Sequence, residues 1–499
     1  MGTIKINNLS FKYDNMSNNI FDNFDLNIDE KWRLGLIGRN GRGKTTFLKI
    51  LLNQLEYQGS ILTNLRFAYF PKPVSDPGNS VQNVLLGLAK LDISDFWKVQ
   101  IEMDKLKLSD ELLTRPFNTL SPGEQTKAKL AALFCNDQYF QLIDEPTNHL
   151  DDAGRQIVAD YLKQKTGFIV VSHDRYFLNQ VIDRVLSIDR AKIQLFNGNY
   201  DSWQQQFELQ NETEMKKKQH LQTDIKRLKK SAEMTKQWSY KTEKGKFKKP
   251  GDNGGMIDRG AVGHKAAKLM KRSKNTFKRT ESELNSKQKL LKNIDEMPEL
   301  KLHYQALPQE ILLQIQDLVV ARNHHDLNKP LSFTIKTGDR FALDAVNGSG
   351  KTTIIKAILG NHNLISAGKI NFAHGIKISY MNQDFIDFQG DLKSYANEYK
   401  VDFSMLLNTL HKLGFDRKVF NFYVEKMSQG QKRKLALARS LCTKANLYIW
   451  DEPLNYLDVI TRQQIENLIL EIKPTMLFVE HDCQFTKDVA TQEIKLESN

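Results

Sequence analysis

Cysteine is scarce in this 499-residue chain: Cys135, Cys442 and Cys483 are the three, and each stands alone. Isolated thiols assemble neither a disulfide framework nor a cysteine metal site, so a reduced, cytoplasmic setting is expected. Long apolar runs are missing too. No stretch of about 18 apolar residues occurs, which excludes a membrane-spanning helix. The 40% of hydrophobic residues is nevertheless ample for globular cores. The opening "MGTIKINNLSF" passes straight into strand-like alternation, without the charged start and apolar core of a secretory signal. Ile6 stands where a myristoylation motif needs Ser or Thr.

Acidic residues are sparse in one place. Residues 211–280 hold 21 Lys and Arg against 7 Asp and Glu, a net of +14. The chain as a whole carries +13, so everything outside that segment sums to −1. A linker kept soluble by charge does not need one sign, and a one-signed block between neutral domains points to a polyanionic partner. Within it, "KTEKGKFKKPGDNGG" (241–255) is a basic stretch loosened by glycine.

What is present is repetition. "GLIGRNGRGKTT" (35–46) returns as "ALDAVNGSGKTT" (342–353), and "TLSPGEQ" (119–125) as "KMSQGQK" (426–432). "IDEPTNHLD" (143–151) returns as "WDEPLNYLD" (450–458), and "VVSHDRYF" (170–177) as "FVEHDCQF" (478–485). Four motifs in one order, about 300 residues apart, make the chain a tandem duplication. Each unit alternates short apolar strands with helices and is expected to be α/β with a largely parallel sheet. The expected division is 1–200 and 301–499 for the two units and 201–300 for a linker. In the linker, Leu221, Ile225, Leu228 and Ala232, and then Met270, Phe277, Leu284 and Leu291, space as the seam of two helices. A helix over 202–238, an antiparallel coiled-coil hairpin turning at 245–263 and a tip near 239–260 are therefore expected.

The chemistry lies in the repeated motifs. "GRNGRGKT" follows an apolar strand and precedes a helical pattern, which is the context a phosphate-binding loop needs. Gly38, Asn40, Gly41 and Gly43 let backbone N–H groups face phosphate oxygens, Lys44 neutralises phosphate charge, and Thr45, followed by Thr46, offers a hydroxyl to Mg²⁺. Asn347, Gly348, Gly350, Lys351, Thr352 and Thr353 repeat the loop. Asp144 and Asp451, each ending an apolar strand, are placed to hold the metal. Glu145 and Glu452 are placed to polarise the attacking water.

These residues resemble the ATP-binding cassette (ABC) superfamily. The resemblance implies that Ser121–Gly123 and Ser428–Gly430 belong to signature motifs and that His173 and His481 are switch histidines. It implies that two cassettes close head to tail over two ATPs. Site I would combine Tyr13, Lys44, Thr45, Asp144, Glu145 and His173 with Ser428 and Gly430. Site II would combine Lys351, Thr352, Gln383, Asp451, Glu452 and His481 with Ser121 and Gly123. The departures from the family pattern are Ala345, Pro122 and Arg322 for site II, and Lys72 and Gln429 for site I. Hydrolysis is expected at both sites, slower at site II.

Two cassettes joined by a basic hairpin, with "DEPTNHLD" and the junction "GNYDSW", resemble the ABC-F family over essentially the whole chain. That resemblance implies a monomer with intramolecular cassette pairing. The partner would be the bacterial 70S ribosome, entered at the tRNA exit site, with the linker directed at P-site tRNA and the 23S rRNA of the peptidyl-transferase centre. Trp238, Tyr240, Lys241, Lys244, Phe247, Met256, Ile257, Lys271 and Arg272 would make the contacts near the tip. "GRNGRGKTT", "YIWDEPLNYLD" and the long tip are similar to the Lsa-type antibiotic resistance proteins, which implies displacement of lincosamides, streptogramin A and pleuromutilins. A general translation factor that relieves stalled ribosomes needs the same cassettes and the same hairpin.

Overall fold

The computed structural model describes residues 2–14, 19–136, 138–148, 150–189, 192–245, 279, 299–322, 325–344, 350–382, 388–415, 417–480 and 482–496. The chain divides into two compact units: Met1–Trp203 together with Glu299–Asn499, and Gln204–Pro298.

In the larger unit the duplication is visible as two sheets of one topology. The first runs in the order Arg66–Phe70, Tyr139–Asp144, Phe168–Val171, Arg33–Gly38, Arg184–Asp189, Lys192–Asn197. Its first five strands are parallel and the last is antiparallel. The second runs Ile378–Met381, Leu447–Asp451, Met476–Val479, Arg340–Asp344, Gln492–Lys495, all parallel. Parallel strands covered on both faces need continuous apolar runs. "FIVV" (168–171), "LYIWD" (447–451) and "MLFV" (476–479) are accordingly buried throughout.

An antiparallel sheet accompanies each. Thr3–Phe11 is flanked by Phe21–Asp29 and Gln58–Leu62. Ile311–Arg322 is flanked by Leu331–Lys336 and Ile365–Phe372. Ile4, Ile6, Leu9 and Leu26 from one, and Leu313, Ile315 and Leu318 from the other, join the cores of the parallel sheets. In both halves the loop after a central strand leads into a helix, Lys44–Leu51 or Lys351–Ile358, at the sheet's carboxyl end. That is where ligands bind in open α/β sheets.

The long helix spans Tyr200–Gly245. Tyr200 and Trp203, from the junction motif, are buried with ring centroids 5.5 Å apart. In the smaller unit Ile225 is buried and Leu221 and Leu228 are half-buried, whereas Lys216, Lys217, Lys226, Arg227, Lys229 and Lys230 are exposed. This helix runs past the expected 202–238 because no residue before Gly245 breaks it. The expected return helix and turn lie outside the described residues. Among the described residues, no helix is long and apolar enough to cross a membrane.

Candidate functional site

The first loop is built on glycine conformations that other residues adopt with strain. Gly41 and Gly43 have φ of 81° and 97°. A side chain at Gly43 would also lie 2.5 Å from Ile20 Cγ2. Lys44 is buried behind the loop, where Nζ donates to Gly38 O at 2.7 Å and to Asn40 Oδ1 at 3.1 Å. Burial lowers its pKa, opposed by Asp458, Glu145 and Asp144. Thr45 Oγ1 donates to Asp144 Oδ2 at 3.2 Å. Thr352 Oγ1 donates to Asp451 Oδ2 at 3.0 Å, the same contact in the other half. A hydroxyl and a carboxylate meeting at a loop of N–H groups form an oxygen donor set that fits a hard cation beside phosphate. Burial raises both acids, Asp451 to about 6.

Glu145 and Glu452 follow their strands with φ of 54° and 50°, left-handed values that cost a non-glycine residue energy. Each is held there by its own N–H, which donates to Val171 O at 2.8 Å or Val479 O at 2.9 Å. His173 N donates to Glu145 Oε2 at 3.3 Å, and His173 Nε2 lies 3.2 Å from Glu145 Oε1. Burial raises Glu145 to about 8 against the pull of Lys44, and the same burial, with Lys44, lowers His173 well below its ordinary value. A neutral imidazole beside a carboxyl group that gives up its proton only near pH 8 is a pair poised to exchange a proton close to neutral pH. In the second half, Glu452 Oε2 accepts from Asn455 Nδ2 at 2.6 Å.

The two halves meet at these loops. Asn40 N donates to Asp458 Oδ2 at 3.0 Å, and Asn40 Nδ2 to Tyr456 O at 2.9 Å. Asp458 is buried and caps the helix Val459–Ile472 through Thr461 N. Burial would raise its pKa, but Lys434 and Lys44 outweigh that and hold it at about 2. A cavity of about 1120 Å³ opens between the halves. Asn40, Glu145 and His173 line it from one side; Lys351, Thr352, Thr353, Glu452, Gln429 and Gly430 line it from the other. Arg322 and Gly350 also face it.

The remaining expected residues fall as follows. Tyr13 OH is 3.2 Å from Thr46 Oγ1 and its ring packs edge-on against Phe11. Ser121 and Ser428 cap the helices Pro122–Phe134 and Gln429–Cys442, each in a reciprocal capping box. Pro122 occupies the first helical position, where its missing N–H costs no intrahelical bond. Ser121, Gly123 and Ser428 are not among the residues lining the cavity. Lys72 Nζ donates to Leu88 O at 3.2 Å, so its charge serves the end of a neighbouring helix. Asn347, Gly348, Gln383, His481, Phe247, Met256, Ile257, Lys271 and Arg272 lie outside the described residues. Trp238, Tyr240, Lys241 and Lys244 fall on the helix Tyr200–Gly245.

Two contributors do not stand out in the sequence. Tyr69 OH donates to Asp144 Oδ2 at 3.2 Å, with burial and Asp144 raising the phenol to about 12. Its signal is the strand "RFAYF", which pairs alongside "YFQLID". Asp458 is visible only as the last letter of "WDEPLNYLD".

The model of the ABC transporter family matches residues 21–148 and 328–455, just over half of the chain. The ribosome protection protein VmlR of Bacillus subtilis is 27% identical over 99% of this chain and 87% of its own length. The erythromycin resistance ATP-binding protein MsrA of Staphylococcus epidermidis is 28% identical over 98% and 97%. The ATP-binding protein Uup of Buchnera aphidicola is 29% identical over 98% and 80%. Among solved structures, the archaeal ribosome recycling factor aABCE1, in complex with stalk protein aP1, superposes with a TM-score of 0.62. That match is 19% identical, covers 99% of this chain and 88% of the other, and shows the shared fold. The chain belongs to the ABC transporter family, as an ABC-F ATPase that carries two of the family's ATP-binding domains in one polypeptide.

Proposed function

We propose that this ATPase binds the bacterial 70S ribosome at the tRNA exit site and displaces lincosamide, streptogramin A and pleuromutilin antibiotics from the peptidyl-transferase centre. The observation that carries the reading is end-to-end similarity to a ribosome protection protein, in a chain whose excess positive charge is confined to its linker. Exposed lysines along Tyr200–Gly245 suit a path between phosphate backbones. Trp238, Tyr240, Phe247, Met256 and Ile257 supply groups able to stack on bases or fill a crevice near the tip. Lys271 and Arg272 add charge there.

Each ATP site draws on both cassettes. At site I, the N–H groups from Gly41 to Thr45 and the Lys44 ammonium hold the phosphates, with Tyr13 beside the adenine. Glu145 takes a proton from the attacking water, and His173 orients against the terminal phosphate. Ser428 and Gly430 close the site from the partner cassette. At site II, Gly350, Lys351, Thr352 and Thr353, with Asn347 and Gly348, play the loop's part, and Glu452 and His481 the reacting part; Ser121 and Gly123 close it. Thr45 with Asp144, and Thr352 with Gln383 and Asp451, would hold Mg²⁺, which supplies charge neutralisation on the phosphates when bound. ATP binding closes the cassettes and fixes the factor on the ribosome; hydrolysis releases it.

The test is drug susceptibility of a sensitive Gram-positive host expressing the chain, beside a Glu145→Gln/Glu452→Gln variant. Raised tolerance to lincomycin, virginiamycin M and tiamulin, abolished in the variant, is expected. Unchanged tolerance to these drugs, with the variant still retained on ribosomes, would move the chain to a second reading, a translation factor for stalled ribosomes. That reading draws on the equally similar relative Uup, whose name refers to no drug.

A further inference from the structure

The switch-histidine segments differ between the two halves in a way that nucleotide chemistry does not require. After His-Asp, the first half carries Arg175 and the second Cys483. On the helix that follows the catalytic glutamate, the second half carries Glu466 where the first carries Ala159. Aligned on "DEP…LD", these positions are equivalent, and the structure shows that the two differences belong together. Arg175 crosses to the other cassette: Nη2 donates to Glu466 Oε2 at 2.5 Å and Nη1 to Gln463 Oε1 at 2.8 Å. Its Nε lies 3.9 Å from Asp482 Oδ2, the residue that follows His481 in the chain. Arg175 and Glu466 are 5% and 4% exposed, so the pair is shielded from water and salt. In the reverse crossing Cys483 Sγ lies 3.9 Å from Asp152 Oδ2. An arginine meets a glutamate in one direction; in the other, the arginine and the glutamate are both gone.

The surroundings extend the tie. Within its own half, Asp482 is held by Arg462 at 3.4 Å, as Asp174 is held by Arg155 at 3.6 Å. Arg175 opens the helix Arg175–Val181 two residues after His173. Further along it, Asn179 Nδ2 donates to Asp201 Oδ2 at 2.5 Å, at the root of the long helix. The guanidinium thus touches, through one planar group, the helix behind one glutamate and the segment behind the other histidine.

We propose that Arg175 is a positioning residue that couples the two ATP sites. It is a one-sided tie, by which the histidine segment of each cassette is set only when the other cassette is in place. The inference rests on the reading that each ATP site draws on both cassettes. That reading has its own check: Glu452→Gln leaves site I to hydrolyse, and adding Ser428→Arg in the opposite cassette's signature should abolish that residual hydrolysis.

The experiment is steady-state ATP hydrolysis against ATP concentration for the full chain, Arg175→Met, and Arg175→Met/Glu466→Met, each with its thermal midpoint. Removing one partner strands a buried charge, whereas replacing both with apolar groups of similar size leaves folding nearly intact. The wild type is expected to show a Hill coefficient approaching about 2, the limit for two sites. Both variants are expected to fall to about 1. The single variant melts lower, and the double variant recovers most of the midpoint without recovering cooperativity. Three results would each overturn the proposal: a wild-type coefficient of 1, wild-type cooperativity in a folded single variant, or cooperativity that returns together with stability in the double variant.

Discussion

At Glu145 and Glu452 the backbone is left-handed, each glutamate directly follows the aspartate that ends its strand, and each cassette repeats the arrangement. A general base of this kind contributes roughly 10²–10⁴ in rate. Glu145→Gln/Glu452→Gln should therefore lose ATP turnover by at least about a hundredfold while still binding nucleotide. Of the single variants, Glu145→Gln should cost the larger share, because site II carries Arg322 beside its loop and Pro122 in its signature. Equal residual rates would contradict that ranking. Asp458 makes a second, pH-dependent prediction. Its folded pKa of about 2 is below an ordinary unfolded value of about 3.9, so its stabilisation is fully present above about pH 4 and is lost as pH falls through 2. The gap in urea midpoint between wild type and Asp458→Asn should be constant from about pH 7 to about pH 5 and shrink below about pH 4. A gap that already narrows above pH 5 would contradict the depressed value. These residues also mark how far a sequence can be read. Lys44, Thr45, Asp144 and Glu145, which the structure brings together, stand out because phosphate chemistry calls for those types at a glycine loop and a strand end, and His173 stands out through the family resemblance. Tyr69, Asp458 and Arg175 do not stand out, because each acts on a residue between 75 and 418 positions away. No local pattern encodes such a pairing.

Among the elements, the helices and strands of both halves follow from apolar runs and glycine loops, and the long helix from the apolar seam of Leu221, Ile225, Leu228 and Ala232. Its extent was underestimated because a helix end needs a breaker, and the first glycine comes at 245. Exchange of Lys216, Lys217, Lys226, Lys229 and Lys230 for Gln should leave ATP turnover of the free protein unchanged and weaken ribosome binding. The dependence of log affinity on log salt should flatten by about 0.7–0.9 for each phosphate that a lysine no longer neutralises. Unchanged affinity and slope would remove this helix from the interface. A stability prediction belongs to the helix Trp97–Lys105. Its Glu102 is buried and gathers Lys165 at 2.5 Å, Lys105 at 2.8 Å and Tyr161 OH at 2.5 Å. Burial would raise this carboxyl, but those three partners outweigh it and hold the pKa below its usual range. Glu102→Ala leaves Lys165 and Tyr161 without their anion and should cost about 3–5 kcal/mol, read from chemical denaturation. A decrease under about 1 kcal/mol, the scale of an exposed pair, would contradict it.

Over the whole molecule, the duplication gives two ATP-binding domains that touch through Asn40 with Asp458 and Arg175 with Glu466, and a basic helix lies between them in the sequence. Under the proposed function, closure of the cassettes on ATP is the event that such contacts would report, and retention on the ribosome the outcome it would control. The most direct measurement is co-sedimentation of the purified chain with 70S ribosomes, with and without ATP, for the wild type and Glu145→Gln/Glu452→Gln. The account predicts that ATP leaves the wild type largely in the supernatant and pellets the variant with ribosomes at near one-to-one stoichiometry, an association that added salt weakens. A variant that stays in the supernatant with ATP present, while still binding the nucleotide, would contradict the claim that ATP closure fixes this protein on the ribosome.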